Sequence, residues 1–219
     1  MAAVKRTSGA ADFVPPGGTL PQLRDAAQKC QGCDLYRHAT QAVLGEGPSS
    51  ARVVLVGEQP GDKEDLAGHP FVGPSGALLN RALEEAGIAR SSVFVTNAVK
   101  HFKFEARGKR RIHKRPSASE LDACLPWLDA ELKLVKPEVI VCLGATAARG
   151  VIGKQHRLLE ERGKFFDHSS GATATATVHP SAILRAPDDE QRQRDYRAFV
   201  DDLKAVRRKM GEIMRLRSV

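Results

Sequence analysis

The sequence predicts an α/β fold, a three-layer α/β/α sandwich around a mostly parallel sheet of four strands. Residues 53–56 (VVLV) and 139–143 (VIVCL) are apolar without alternation, as in sheet strands covered on both faces. Two further β-rich runs, SVFVTN at 92–97 and TATATV at 173–178, supply the other strands. Stretches of helical period separate the runs, which is the rhythm of parallel βαβ units.

A chain of 219 residues suits one domain with a sizeable core. Residues 1–18, rich in Ala, Gly, Ser and Pro, read as a flexible arm. Residues 19–210 form the domain, and 211–219 a basic end. Hydrophobic residues at 42% exclude a disordered chain. A net charge of +8 suits a polyanionic partner such as nucleic acid. No apolar run approaches a membrane span, and the N-terminus lacks a signal-like apolar core. The expectation is a cytoplasmic monomer with no protein partner.

Taken in order, residues 20–29 predict a short helix with Leu23, Ala26 and Ala27 on one face. Cys30-Gln-Gly-Cys33 follows, and its tight turn aims two thiolates at one point, as in a metal-ligand pair. The strand at 53–56 ends at Gly57 and feeds a loop rich in glycine, proline and carboxylates. Open α/β sheets bind ligands at that end of their strands. The loop carries Glu58, Gln59, Asp62, Asp65, His69 and Phe71. Pro74 and Ser75 then open a helix whose apolar stripe is Leu78, Leu79, Ala82, Leu83 and Ala86.

The strand at 92–97 ends in Asn97. Its amide offers an acceptor and two donors, enough to read a base edge. Residues 100–114 (KHFKFEARGKRRIHK) are the strongest basic run, either a solvated loop or a phosphate contact. Ser117 and Glu120 make a capping box for a helix to residue 135, with Leu121, Leu125, Leu128 and Leu132 on its apolar face. Cys124 lies in that helix, and Cys142 in the next strand. A helix at 145–151 follows, and residues 155–172 read as irregular or hairpin-like. The strand at 173–178 ends in His179-Pro-Ser181. From residue 188 a charged helix carries Tyr196, Phe199, Val200, Leu203 and Val206 as its stripe.

GEQPG at 57–61, KRRIHK at 109–114 and HPS at 179–181 together resemble the uracil-DNA glycosylase superfamily, in its iron–sulfur family 4 branch. Family 4 reads GEAPG where this chain has GEQPG. Gln59 and KRRIHK are similar to the UdgX type, whose members attach themselves covalently to uracil-containing DNA. The resemblance spans roughly residues 20–205.

The resemblance implies a role for each matching residue. Gly57, Asp62, Phe71 and Asn97 hold an extruded uracil, with Phe71 stacking on it. His179 donates to the developing uracil anion, and Glu58 stabilises the sugar cation. Gln59 belongs to the same catalytic motif. His113 attacks the sugar, gives up a proton with help from Glu58 and stays attached. Lys109, Arg110, Arg111, Lys114, Ser181 and Arg185 contact DNA. Cys30, Cys33 and Cys124 match three ligands of a [4Fe–4S] cluster. His101 stands where the family has its remaining cysteine, so it is the fourth ligand, with Cys142 as the alternative. Zinc uses the same ligand types. His69 is a rival nucleophile. Alternatives to self-attachment are an ordinary turnover family 4 glycosylase and a non-catalytic iron–sulfur DNA-binding protein.

Overall fold

A computed structural model describes residues 9–217. The strands are β1 (Val53–Gly57), β2 (Val93–Asn97), β3 (Phe104–Arg107), β4 (Arg110–His113), β5 (Val139–Leu143), β6 (Phe165–Asp167) and β7 (Thr173–Thr177). The helices are α1 (Leu20–Ala27), α2 (Asp62–Ala67), α3 (Pro74–Glu85), α4 (Ala118–Val135), α5 (Ala145–Val151), α6 (Leu158–Glu161), α7 (Pro180–Leu184) and α8 (Asp189–Arg217).

The central sheet runs β2-β1-β5-β7-β6. Its first four strands are parallel, and β6 pairs antiparallel with β7. The sheet therefore has five strands, not the expected four. The additional strand is three residues long and lies in the stretch read as irregular or hairpin-like, too short for a periodic signal.

Strand residues alternate between two cores, as the pleat requires. Val54, Val56, Phe94, Ile140 and Ala174 face one cluster with Leu121, Trp127 and Leu128 of α4. Val53, Leu55, Val95, Val141 and Leu143 face the other, with Leu79 and Leu83 of α3 and Phe199 and Leu203 of α8. Each wholly buried side chain of this size contributes about 1.5–3 kcal/mol. These two cores are the reason the apolar runs lack alternation. The three-layer sandwich is thus observed.

Local signals place the helix starts. Ser117 Oγ accepts the Glu120 N–H at 3.2 Å, and Glu120 Oε2 accepts the Ser117 N–H at 2.6 Å. Pro74 occupies the first turn of α3, where its missing N–H costs nothing.

At the chain ends, residues 1–8 of the expected arm and residues 218–219 lie outside the described residues. Residues 9–18 do not behave as a free arm. Ala10 is buried and donates its N–H to Ala123 O at 2.7 Å. At the other end α8 continues to Arg217, so most of the expected basic end is helical. Among the described residues no helix is long and apolar enough to cross a membrane.

Candidate active site

The site forms at the carboxyl ends of β1, β2 and β7, where three sequence-distant segments meet. Gly57 and Asn97 are register partners at the end of the β1–β2 pair. A Cβ on residue 57 would fall 2.3 Å from Asn97 Oδ1 and 2.8 Å from Phe71 Cζ. Glycine here lets the Asn97 amide and the Phe71 ring share one recess.

Phe71 has φ of 58°, a left-handed conformation that a bulky residue adopts only under constraint. The constraint is Gly76, which packs so tightly on the Phe71 carbonyl that any side chain there would overlap it. Phe71 and His179 face each other with ring centroids 6.3 Å apart and planes 29° apart.

His179 caps α7. Its Nδ1 accepts the Ser181 backbone N–H at 3.1 Å, and Ser181 Oγ lies 2.8 Å from the same nitrogen. Nδ1 is therefore the unprotonated nitrogen, and Nε2 carries the hydrogen. Burial, helped by the charges of Arg185 and His113, pushes the pKa of His179 down to about 4. The ring is a neutral N–H donor at ordinary pH.

Strands β3 and β4 make a separate antiparallel hairpin from the basic run, with Phe104 opposite His113. Gln59 fastens its base. The Gln59 amide nitrogen donates to Lys103 O at 3.1 Å and Lys114 O at 3.0 Å, while Oε1 accepts the Lys103 N–H at 3.1 Å. These bonds fix which end of the amide is nitrogen. That nitrogen also lies 3.0 Å from His113 Nε2. Both hydrogens of that amide are committed to the two carbonyls, so this contact holds the ring close without assigning its tautomer.

His113 Nε2 is 3.7 Å from Glu58 Oε1. Burial lowers the pKa of His113, against the pull of Glu58 and with the help of Arg185. Thr146 donates to Glu58 Oε2, and Arg115 Nε lies 3.6 Å from the same oxygen. Thr146 was not singled out in the sequence, where a threonine two residues past Gly144 carries no distinct signal; Arg115, grouped there with the basic residues that could sit against phosphates, faces Glu58 and Thr146.

Several expected roles differ in place. Arg111 turns inward: its Nε is 2.6 Å from Asp62 Oδ1, and an Nη is 2.6 Å from Asp65 Oδ2. It also lies over the Phe102 and Phe104 rings. Arg111 and Asp62 are thus partners in a hairpin anchor. Lys114 pairs with Glu105 at 2.6 Å. Lys109 and Arg110 are exposed at the hairpin turn. His69 pairs with Glu46 through Nδ1. Lys100, the first residue of the basic run, is fully buried.

Of the thiols, Cys30 and Cys124 are buried and Cys33 partly so. Burial pushes Cys124 up to about 12, and Cys33 and Cys30 add to the rise. These three lie near one another. Trp127 Nε1 is 3.2 Å from Cys30 Sγ, and the Lys100 backbone nitrogen 3.2 Å from Cys124 Sγ. N–H donors aimed at sulfur suit metal-bound thiolates. Burial alone raises the Cys142 thiol, with no contribution from another cysteine, which sets it apart from the trio. His101 is buried, and the one charge acting on it is Asp65. Among the described residues no group of three or more His, Cys, Asp or Glu side chains stands in metal-holding geometry. In donor chemistry alone the three thiols fit a thiolate-bound group.

The uracil DNA glycosylase superfamily model matches residues 44–204. A type-4 uracil-DNA glycosylase of Thermotoga maritima is 38% identical over 172 residues, covering 78% of this chain and 86% of the relative. Its namesake in Pyrobaculum aerophilum is 35% identical over 175 residues, covering 77% and 86%. That of Archaeoglobus fulgidus is 32% identical over 176 residues, covering 77% and 85%. With the family match running from β1 into α8 across every wall of the recess, the chain belongs to the uracil DNA glycosylase superfamily.

Proposed function

We propose that this chain excises uracil from DNA and remains bound to the abasic sugar through His113. The observation that carries the reading is the position of His113 Nε2, 3.7 Å from Glu58 Oε1 and 3.0 Å from the Gln59 amide that anchors the hairpin. The type-4 relatives support uracil in DNA as the substrate class.

Uracil in a duplex must be extruded, at a cost of a few kcal/mol. Phe71 then stacks on the base, and Asn97 reads its edge. As the C1′–N1 bond breaks, its electron pair goes to the uracil. The neutral His179 Nε2–H donates to the oxygen that gains charge. Glu58 opposes the cationic sugar. The lone pair of His113 Nε2 forms the new bond to C1′. The resulting imidazolium then loses its Nδ1 proton to water, since Glu58 faces Nε2 and not Nδ1. Neutral alkyl-imidazole is a poor leaving group, so the adduct persists.

In this reading Lys109, Arg110, Lys114 and Arg185 meet phosphates, and Ser181 holds His179. Cys30, Cys33 and Cys124, with His101 as fourth, hold an iron–sulfur cluster that braces the protein. Zinc is the alternative metal.

A second reading is ordinary turnover, favoured by the half-exposed His113 side chain, which leaves room for water beside Glu58. Uracil-containing DNA incubated with the protein and run on a denaturing gel separates the two. A shifted covalent band supports attachment. Free abasic product in molar excess over protein supports turnover.

A further inference from the structure

Directly behind Asn97 lies a wholly buried ion pair that the chemistry above does not use. Lys100 Nζ is 2.6 Å from Glu131 Oε2 on α4. The same ammonium donates to Thr96 Oγ1 at 2.8 Å and to the Asn97 backbone oxygen at 2.6 Å. Its three hydrogens are therefore all committed. Glu131 also accepts the Gly45 N–H at 2.6 Å and the Thr96 hydroxyl at 2.7 Å, so both its oxygens are engaged.

Such a pair is poor value as a stability device. Desolvating two charges offsets most of their attraction, and apolar replacements of similar volume are often neutral or stabilising. What the pair does supply is direction. Beyond the last β1–β2 register pair, the Ala98 and Val99 N–H groups bond to Gly57 O and Glu58 O. The Asn97 carbonyl turns instead to Lys100. One peptide plane is thus fixed on both sides, and the Asn97 side chain projects from it into the recess beside Gly57.

We infer that Lys100, backed by Glu131, is a positioning residue that sets the Asn97 amide against the uracil edge. The inference rests on the reading of Asn97 as the base-recognising residue. It concerns affinity and discrimination for the base, not attack on the sugar.

The test uses full-length Lys100→Met/Glu131→Gln, which removes both charges while leaving an acceptor for the Gly45 N–H. Lys100→Gln/Glu131→Gln is measured alongside as the milder variant, since it removes both charges and keeps a donor at residue 100. Folding is checked by circular dichroism and thermal melting. Free uracil is titrated as a competitor of the reaction, and binding of uracil-free DNA is measured in parallel. The expected result is a folded variant with at least tenfold weaker inhibition by uracil and unchanged affinity for uracil-free DNA. Folded variants with the parent's uracil inhibition overturn the inference. Failure of both variants to fold also overturns it, since the pair would then serve stability. Asn97→Ala is the control for the underlying reading: if it too leaves uracil inhibition unchanged, the assignment of the pocket fails, and not merely that of Lys100.

Discussion

Arg111 joins Asp65 at 2.6 Å, and the Asp65 side chain is fully buried beneath it. The hairpin that carries His113 is thereby tied to α2 through a desolvated carboxylate. Removing one partner of a buried pair costs about 3–5 kcal/mol. Asp65 keeps the Thr40 N–H, at 3.0 Å, so the loss falls at the lower end.

Arg111→Met is accordingly expected to destabilise by about 3 kcal/mol and to slow adduct formation more than tenfold, because the attacking ring loses its support. Urea unfolding and single-turnover gels measure the two effects. Undiminished adduct formation in a destabilised variant would mean that the anchor has no part in placing His113.

His113→Ser should abolish the denaturation-resistant band. The smaller side chain opens space for water beside Glu58, so abasic product is expected in its place. A persisting covalent band would falsify the assignment of the nucleophile.

Gly57→Ala should empty the recess of its ligand with little harm to the fold. The added methyl meets Asn97 Oδ1 and Phe71 Cζ inside contact distance. We expect at least a hundredfold slower reaction in single-turnover gels, and a melting temperature near the parent's. Parent-like kinetics would place the base elsewhere.

Acid should weaken the protein through His179. Its folded pKa is about 4, against about 6.5 in an unfolded chain. The unfolded state binds more protons between those values. The contribution is complete above about pH 6.5 and lost as pH falls towards 4, about 3 kcal/mol in all. His179→Asn should flatten that part of the urea-midpoint profile. Adduct formation should likewise hold level above pH 6.5 and decline only on the acid side, since burial lowers the His113 pKa. A rate that drops as pH rises through 7 contradicts a neutral imidazole nucleophile.

Iron content tests the thiols. Cys33→Ser and Cys124→Ser should each lose metal and visible absorbance, whereas Cys142→Ala should keep both. Loss in the Cys142 variant would return that residue to the ligand set.

The strands of the sheet were legible because burial on both faces erases alternation, as in VVLV and VIVCL. The recess was legible too, since Gly57, Phe71, Asn97 and His179 sit at strand ends or in loops where ligands gather. Lys100 and Arg111 were not. Both fall in a run of positive charge, and composition gives no sign that a lysine will find Glu131 or an arginine Asp65. Such pairings depend on tertiary approach across 31 and 46 residues. The antiparallel β6–β7 pair agrees with the hairpin-like reading of 155–172, but β6 was too short to count as a strand of the sheet, and the docking of Ala10 left no pattern.

Among the described residues the ribbon of β3 and β4 pairs with no other strand, and an isolated two-stranded ribbon holds its shape poorly in water. Its grip on the body comes from Gln59, Asp62 and Asp65, all in the segment after β1. It is an appendage with its own fastenings, and transplanting it onto another member of the superfamily requires those fastenings as well as the graft itself.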